Sequence, residues 1–304
     1  MASARRLIVT GATGKQGGAV IAALLSNTSQ PFEIYAVTRN KSSRGAHALA
    51  SKPNVRVIEG DFDNAAAIFK QVTNPWGLFS VTMPLKGAKI EEAQGKAMTR
   101  AAVDAGVKHI VFTATERGGQ SESDTNTTTI PHFISKYNIE KDIVEAAANS
   151  RQGTTWTFLR PVAFFENLSN DFLGKGFVAM WKLDGMDRKL QMISSKDVGH
   201  VGALAFLNAG ADDYRNKAIS LAGDELSPAE ASKIFKEVTG HELPSTYGIV
   251  GRGLRWGLKE QLGMMFDWFV AAGFGPDVPR MSRQRYPFLM DFRTWLLTES
   301  AWKK

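Results

Sequence analysis

A glycine-spaced turn stands between a short apolar strand and the start of a helix. Leu7–Thr10 is β-branched and apolar, Gly11-Ala12-Thr13-Gly14-Lys15-Gln16-Gly17 follows at once, and Lys15–Ser26 carries helical periodicity. A glycine triplet alone says little; one placed after a strand and before a helix is the setting of a phosphate-binding turn. Gly11 permits the tight turn, Gly14 lets backbone approach a pyrophosphate, and Gly17 lets the helix pack on the strand. The free N–H groups of the first helical turn then face the anion. The spacing is G-x-x-G-x-x-G. The triphosphate pattern G-x-x-x-x-G-K-[ST] is absent, since Gly95-Lys96 has no glycine five residues earlier. The competing reading is a glycine-rich turn that binds nothing.

The rest of the first half repeats the same rhythm. Strand patterns fall at Leu7–Thr10, Glu33–Thr38, Val55–Glu59, Gly77–Thr82, His109–Thr113 and Thr155–Leu159. Helical patterns fall between them at Lys15–Ser26, Asn64–Val72, Ala88–Ala105 and Phe133–Asn149. Such alternation implies right-handed crossovers and a parallel sheet covered on both faces. After Pro161 the rhythm weakens to a strand at Gln191–Ser194, a helix at Lys196–Asn208, a strand at Lys217–Leu221 and a helix at Ser227–Thr239. The last opens with Ser227, Pro228 and Glu230 in capping-box order. The expected class is α/β, a Rossmann doubly wound parallel sheet with a smaller, mainly helical C-terminal substrate lobe. The expected division is 1–160 for the nucleotide-binding domain, with later returns from about 190–222, and 161–304 for an interleaved substrate or partner lobe.

Composition narrows the function classes. The chain has no cysteine, which excludes disulfides, thiolate metal sites and a cysteine nucleophile. Its histidines are scattered, and His241-Glu242 lacks the second histidine of a zinc motif, so no metal is expected. No apolar run reaches the ~20 residues of a membrane helix. The strand at the N-terminal end leaves no secretory signal to read, so the expectation is a cytoplasmic protein with no membrane attachment. Net charge is +7. Nine Lys/Arg against five Asp/Glu between Arg252 and Lys304 account for +4 of it. No basic cluster has the density of a nucleic-acid groove, which argues against nucleic acid as a partner.

The second strand speaks to cofactor choice. NAD binders place a carboxylate at its end for the ribose 2′-hydroxyl. Here it ends Val37-Thr38-Arg39-Asn40-Lys41, with Ser42, Ser43 and Arg44 following. A guanidinium there pairs with a 2′-phosphate and lies against adenine, which favours NADP(H). Asp61 and Phe62, closing the third strand, suit the adenine amino group and ring; Asp61 also suits a helix cap. Thr82, Met83 and Pro84 close the fourth strand at the crevice where such folds bind ligands.

These pieces resemble the NmrA-like family of atypical short-chain dehydrogenases, a group holding reductases and NADPH sensors. The carriers are GATGKQGG at Gly11–Gly18, VTRN at Val37–Asn40, EGDFD at Glu59–Asp63, HFISK at His132–Lys136 and RPVAFFENL at Arg160–Leu168. SSKDVG at Ser194–Gly199 extends the likeness, and FRTWL at Phe292–Leu296 matches loosely. The resemblance implies NADP(H) with its pyrophosphate on Gly11 to Gln16 and its 2′-phosphate on Arg39. It places Asp61 and Phe62 by adenine, and Thr82, Met83 and Pro84 under the ribose and nicotinamide. Lys136 would reach the nicotinamide ribose, with Phe164, Phe165, Glu166 and Asn167 around the nicotinamide end. It also admits a homodimer.

Two registers compete for a Tyr–Lys acid pair of the short-chain dehydrogenase kind. Tyr137 and Lys141 match it literally; His132 and Lys136 match it with histidine in place of tyrosine. Positions 132, 136, 139, 143 and 147 share a helix face that continues as Ile139, Ile143 and Ala147. The register with Lys136 is therefore preferred, with His132 either the general acid or a helix-start residue. Thr113 and Thr115 are further strand-end candidates for a substrate oxygen. The candidate catalytic residues are Lys136 and His132. Two functions follow: an NADP(H)-dependent oxidoreductase acting on a small apolar or aromatic molecule, or a non-catalytic NADP(H) sensor that regulates a partner protein.

Overall fold

A computed structural model describes residues 4–27 and 31–302. Seven strands form one sheet: β1 (Arg5–Val9), β2 (Phe32–Thr38), β3 (Val55–Glu59), β4 (Gly77–Val81), β5 (His109–Thr113), β6 (Thr155–Pro161) and, numbered in chain order, β9 (Lys217–Leu221), in the spatial order β3-β2-β1-β4-β5-β6-β9. Every pair from β3 through β6 is parallel. All five residues of β5 are buried, as a strand covered on both faces requires. The strand order reverses between β1 and β4, which makes their carboxyl ends the switch-point crevice of a doubly wound sheet. Thr10 pins that edge: its hydroxyl donates to Phe79 O at 3.1 Å and accepts from Val81 N at 3.0 Å.

The connecting helices are α1 (Lys15–Ser26), α2 (Arg44–Ala50), α3 (Ala65–Phe69), α4 (Ala88–Asp104) and α5 (Pro131–Ala148). Three depart from expectation. α2 is an addition, capped by Ser43, whose hydroxyl accepts from Ala46 N. The helix expected at Asn64–Val72 is a 3-10 turn at Phe62–Asn64 followed by the short α3, because Asp61 and Asn64 each cap a separate start. α5 begins two residues early, at Pro131, where a missing N–H costs nothing.

Contacts divide the chain into two compact units. One comprises Met1–Thr115, Ile134–Arg160 and Val198–Ile219; the other comprises Glu116–Phe133, Pro161–Asp197 and Ser220–Lys304. Thus 116–133 groups with the second unit, and the return to the first spans 198–219 rather than 190–222. The first unit's core joins Ile8, Val37, Leu78, Phe112 and Phe158 from the sheet to Met98, Ile139 and Ile143 from α4 and α5.

The second unit has its own sheet, order β10-β8-β7, from β7 (Ala163–Phe164), β8 (Leu190–Ile193) and β10 (Asp224–Leu226). Its helical content comprises α6 (Phe172–Leu183), the first turn of α7 (Ser195–Leu207), α8 (Pro228–Thr239), α9 (Gly248–Gly257), α10 (Met264–Ala271), α11 (Val278–Arg285) and α12 (Phe292–Thr298). Phe165, Phe177, Trp181, Phe235, Phe266, Phe292 and Trp295 fill its core. The capping box at Ser227 and Glu230 is present, and Gly240 closes α8 in the left-handed conformation.

Candidate functional site

The glycine turn lies at the carboxyl end of β1. Gly11 has φ +58°, and a Cβ there would stand 2.7 Å from the Val81 side chain, so sterics and conformation both demand glycine. Gly17 meets a harder limit: a Cβ would lie 2.4 Å from Gly11 O and 2.7 Å from Thr10 O. Gly14 is exposed, with ordinary extended backbone, and forms the N-cap of α1 with no side-chain cap bond. The first-turn N–H groups of α1 therefore face outward without intrahelical partners. Thr13 and Lys15 are exposed beside them, while the Ala12 methyl is buried and contributes backbone only. Gln16 leaves its carboxamide oxygen buried and unpartnered. An open turn, a bare helix start and a buried acceptor lacking a donor fit a phosphate- and hydroxyl-bearing ligand.

Arg39 is exposed at the end of β2 and makes no ion pair among the described residues. Asn40 is spent on the turn, since its Oδ1 accepts from Ser42 N at 2.8 Å. Lys41 is exposed, and its N–H reaches Glu59 at 3.4 Å. Nearby Lys86 pairs with Asp63 at 2.9 Å, and that bond raises its pKa against the opposing charge of Arg39. The end of β2 is thus cationic, with an uncommitted planar guanidinium. Asp61 is exposed and caps the 3-10 turn by accepting from Asp63 N, while Phe62 packs half-buried on the core. Met83 and Pro84 are exposed just past β4.

A buried polar cluster of the first unit is built on Thr82, the residue before Met83. α4 and α5 run parallel and nearly touch: a Cβ on Gly95 would lie 2.4 Å from the Ile139 side chain. One turn earlier this approach brings Glu91 of α4 against Ser135 and Lys136 of α5. Lys136 Nζ donates to Thr82 O at 2.7 Å, to Thr82 Oγ1 at 2.8 Å, and to Glu91 Oε1 at 2.9 Å. Thr82 Oγ1 donates to Glu91 Oε1 at 2.9 Å, and Ser135 Oγ donates to Glu91 Oε2 at 2.5 Å. The Glu91 and Lys136 side chains are 0% and 11% exposed. Burial lowers the Lys136 pKa, and the charge and hydrogen bond of Glu91 oppose the shift. The Phe112 ring adds a π face 5.4 Å from the ammonium.

Sequence reasoning missed Glu91. It also missed Glu140, whose carboxylate holds Arg160 by two bonds of 2.9 Å in full burial and ties α5 to β6. The signal was available: Glu91 occupies the same helical stripe as Gly95, Met98, Thr99 and Ala102. A carboxylate on a core-facing stripe needs a buried partner.

The competing lysine behaves differently. Lys141 is exposed and lies 5.1 Å from the Tyr137 ring centroid, on the outer side of α5. His132, one turn before Lys136, is half-buried and meets the Phe133 ring edge-on at 4.9 Å. Thr113 at the end of β5 has a buried hydroxyl with no partner.

In the second unit, Phe164 and Asn167 are half-buried. The Phe165 ring is fully buried against Phe292 and Trp295, at 5.6 and 5.5 Å, so it leaves only its backbone to a ligand surface. Glu166 caps the start of α7, accepting from Ser195 N at 3.0 Å and Ser195 Oγ at 2.5 Å, while its Oε2 is buried without a partner. Asp197, in the same helical turn, accepts from Met290 N at 2.8 Å. Among the described residues no three acidic or histidine side chains are grouped to hold a metal ion, and no helix is long and apolar enough to cross a membrane.

The sheet order and the glycine turn at its switch point define a Rossmann-type α/β protein. More narrowly, the chain belongs to the NmrA-like family, whose model matches residues 3–277. The oxidoreductase malD of Malbranchea aurantiaca, described as containing an NmrA-like family domain, is 26% identical over 269 residues, covering 80% of this chain and 75% of that protein. The similarly described lnaB of Aspergillus flavus is 33% identical over 121 residues, 38% of this chain and 35% of its own. Among solved structures, Citrobacter sp. triphenylmethane reductase complexed with NADP(H) superposes with a TM-score of 0.71 at 22% identity, covering 95% of this chain and 98% of that one. The negative transcriptional regulator NmrA in complex with NADP gives 0.71 at 16% identity, with 98% and 96% covered. At these identities the superpositions establish the fold.

Proposed function

We propose that this protein is an NADP(H)-dependent oxidoreductase of the NmrA type, acting on a small apolar or aromatic molecule. The carrying observation is the uncommitted Arg39 at the end of β2, in the position where NAD binders present a carboxylate, beside a glycine turn whose helix start is bare. The relatives described as oxidoreductases support the redox reading over a purely sensory one.

In this reading the backbone N–H groups from Gly11 to Gln16 hold the pyrophosphate, and Lys15 adds charge. Arg39 binds the 2′-phosphate as a planar fork, with Lys41 as a second cation. Asp61 and Phe62 flank the adenine, and Thr82, Met83 and Pro84 flank the nicotinamide ribose. When bound, the nicotinamide supplies or accepts a hydride. Lys136 acts there chiefly through its charge, because Thr82 and Glu91 already take all three of its protons. Thr113, with its unpartnered hydroxyl, is a donor for a substrate oxygen, and His132 is the candidate proton donor.

Calorimetric titration tests the cofactor choice. NADPH should bind more tightly than NADH. Arg39→Ala should weaken NADPH roughly 10- to 150-fold, the equivalent of a lost charge-assisted contact of about 1.5–3 kcal/mol, and leave NADH nearly unchanged. Equal affinities in the parent protein overturn it. NADPH oxidation over a panel of aromatic aldehydes, ketones and imines then separates the two functions: tight binding with no turnover across the panel returns the sensor.

A further inference from the structure

We propose that Glu91 is a positioning residue of the cofactor site, fixing the ammonium of Lys136 against Thr82 at the end of β4. The inference rests on the reading of Lys136 as a cofactor-facing residue and extends it to a residue no motif contains. A lysine taken out of water sheds its proton unless an opposite charge comes with it. Among the described residues, the one carboxylate bonded to Lys136 is Glu91, delivered from α4. From the other packed elements, β4 presents the Thr82 carbonyl and hydroxyl and β5 the Phe112 ring, none of which carries a charge.

Geometry makes the arrangement directional. Glu91 spends one oxygen on Thr82 and Lys136 together and the other on Ser135, so the carboxylate cannot swing without releasing a hydrogen bond. Lys136 in turn grips the backbone carbonyl of Thr82, the residue before exposed Met83 and Pro84. The Glu91 carboxylate, the lysine and the strand end are therefore joined by one set of hydrogen bonds, while the close approach at Gly95 sets the helix spacing that lets them meet. A buried ion pair of this kind is a poor source of net stability; what it supplies is a fixed place for the ammonium beside Thr82.

The test compares Glu91→Gln and Glu91→Asp with the parent in two measurements. The first is the pH titration of the Lys136 resonance in [13Cε]lysine-labelled protein without cofactor, assigned by its loss in Lys136→Met. In the parent, the charge and hydrogen bond of Glu91 should hold the lysine protonated against the downward pull of burial. In Glu91→Gln its midpoint should fall by at least one pH unit, and Glu91→Asp should restore most of the difference. The second is the NADPH dissociation constant over the same titration, expected to be roughly tenfold higher in Glu91→Gln than in the parent wherever the variant lysine has lost its proton. An unmoved resonance in Glu91→Gln overturns the proposal. A moved resonance with unchanged NADPH affinity upholds the tie between Glu91 and Lys136 and instead overturns the cofactor-facing role of Lys136. If Glu91→Gln does not fold, Glu91→Leu/Lys136→Met decides. Folding of that double variant traces the failure to a lysine charge without its counter-ion, as proposed; failure of both assigns Glu91 to the Thr82 and Ser135 contacts alone and overturns it.

Discussion

Gly14 and Gly17 sit three residues apart in one turn and answer to different physics. Gly17 is enclosed: any side chain would overlap the carbonyls of Thr10 and Gly11. Gly14 is exposed, and a Cβ there would press only Gly11 O, at 3.1 Å. Gly17→Ala should therefore lower the thermal midpoint by several degrees in the absence of any ligand. Gly14→Val should shift it much less yet abolish the gain in midpoint that NADPH gives the parent, because the side chain occupies the space above the bare helix start. Retention of that gain in Gly14→Val counts against the turn as the phosphate site. The steric roles of Gly11 and Gly17 were legible in the sequence because they follow from spacing and from the strand before them. Glu91 and Glu140 were harder to read, since a carboxylate on a helical stripe looks solvated until its partner from another helix or strand is known. Those partners, Lys136 and Arg160, lie 45 and 20 residues away in the chain.

At the scale of elements, the seven-stranded sheet was nearly complete in the sequence, because strands buried on both faces read as continuous β-branched runs. α6 was not. Its segment, Phe172–Leu183, is rich in apolar residues and holds two glycines, which weaken its helix propensity and blur its start. It is helical because the second unit's core surrounds it and Asp171 caps it, accepting from Gly174 N. The two- and three-residue strands β7 and β10 exist only through their pairing with β8. The first turn of α7 carries a measurable cost of such assembly. Asp197 is 3% exposed, and burial, aided by the charge of Glu166 and opposed by the Met290 N–H, raises its pKa to about 6. A carboxyl that binds its proton more tightly folded than unfolded favours folding in acid. That contribution is present below about pH 4 and lost as pH rises through about 6, at a cost on the order of 1–3 kcal/mol at neutral pH. Asp197→Asn keeps the acceptor for Met290 N and removes the charge. Urea unfolding should find the variant more stable than the parent at pH 7.5 by about 1–2 kcal/mol and nearly equal to it at pH 3.5. A variant destabilised equally at both values would show that the carboxylate is held for its bond to Met290 and bears no burial penalty.

For the whole molecule, the path of the chain through its two units bears on how it unfolds. The chain passes between them at 115/116, 133/134, 160/161, 197/198 and 219/220, and four of these passages fall inside continuous elements: α5, β6, α7 and β9. Melting either unit alone would have to break a helix or strand in its interior and leave backbone groups unpaired. The chain should therefore unfold in one cooperative step despite its size. Two probes divide the molecule in a useful way. Trp76 and Trp156 lie in the first unit, while Trp181, Trp256, Trp268, Trp295 and Trp302 lie in the second, so tryptophan emission reports mainly the second and far-ultraviolet circular dichroism reports both. Their thermal midpoints should coincide. NADPH at about a hundred times its dissociation constant adds roughly 2.7 kcal/mol to the folded state. Since the glycine turn, Arg39 and Lys136 all belong to the first unit, independent units would confine that gain to circular dichroism. Units sharing four unbroken elements should instead pass it on, with both midpoints rising together by roughly 3–5 °C. Separate midpoints, with tryptophan emission indifferent to NADPH, would mean that these elements fray at the unit boundaries and that each unit folds on its own account.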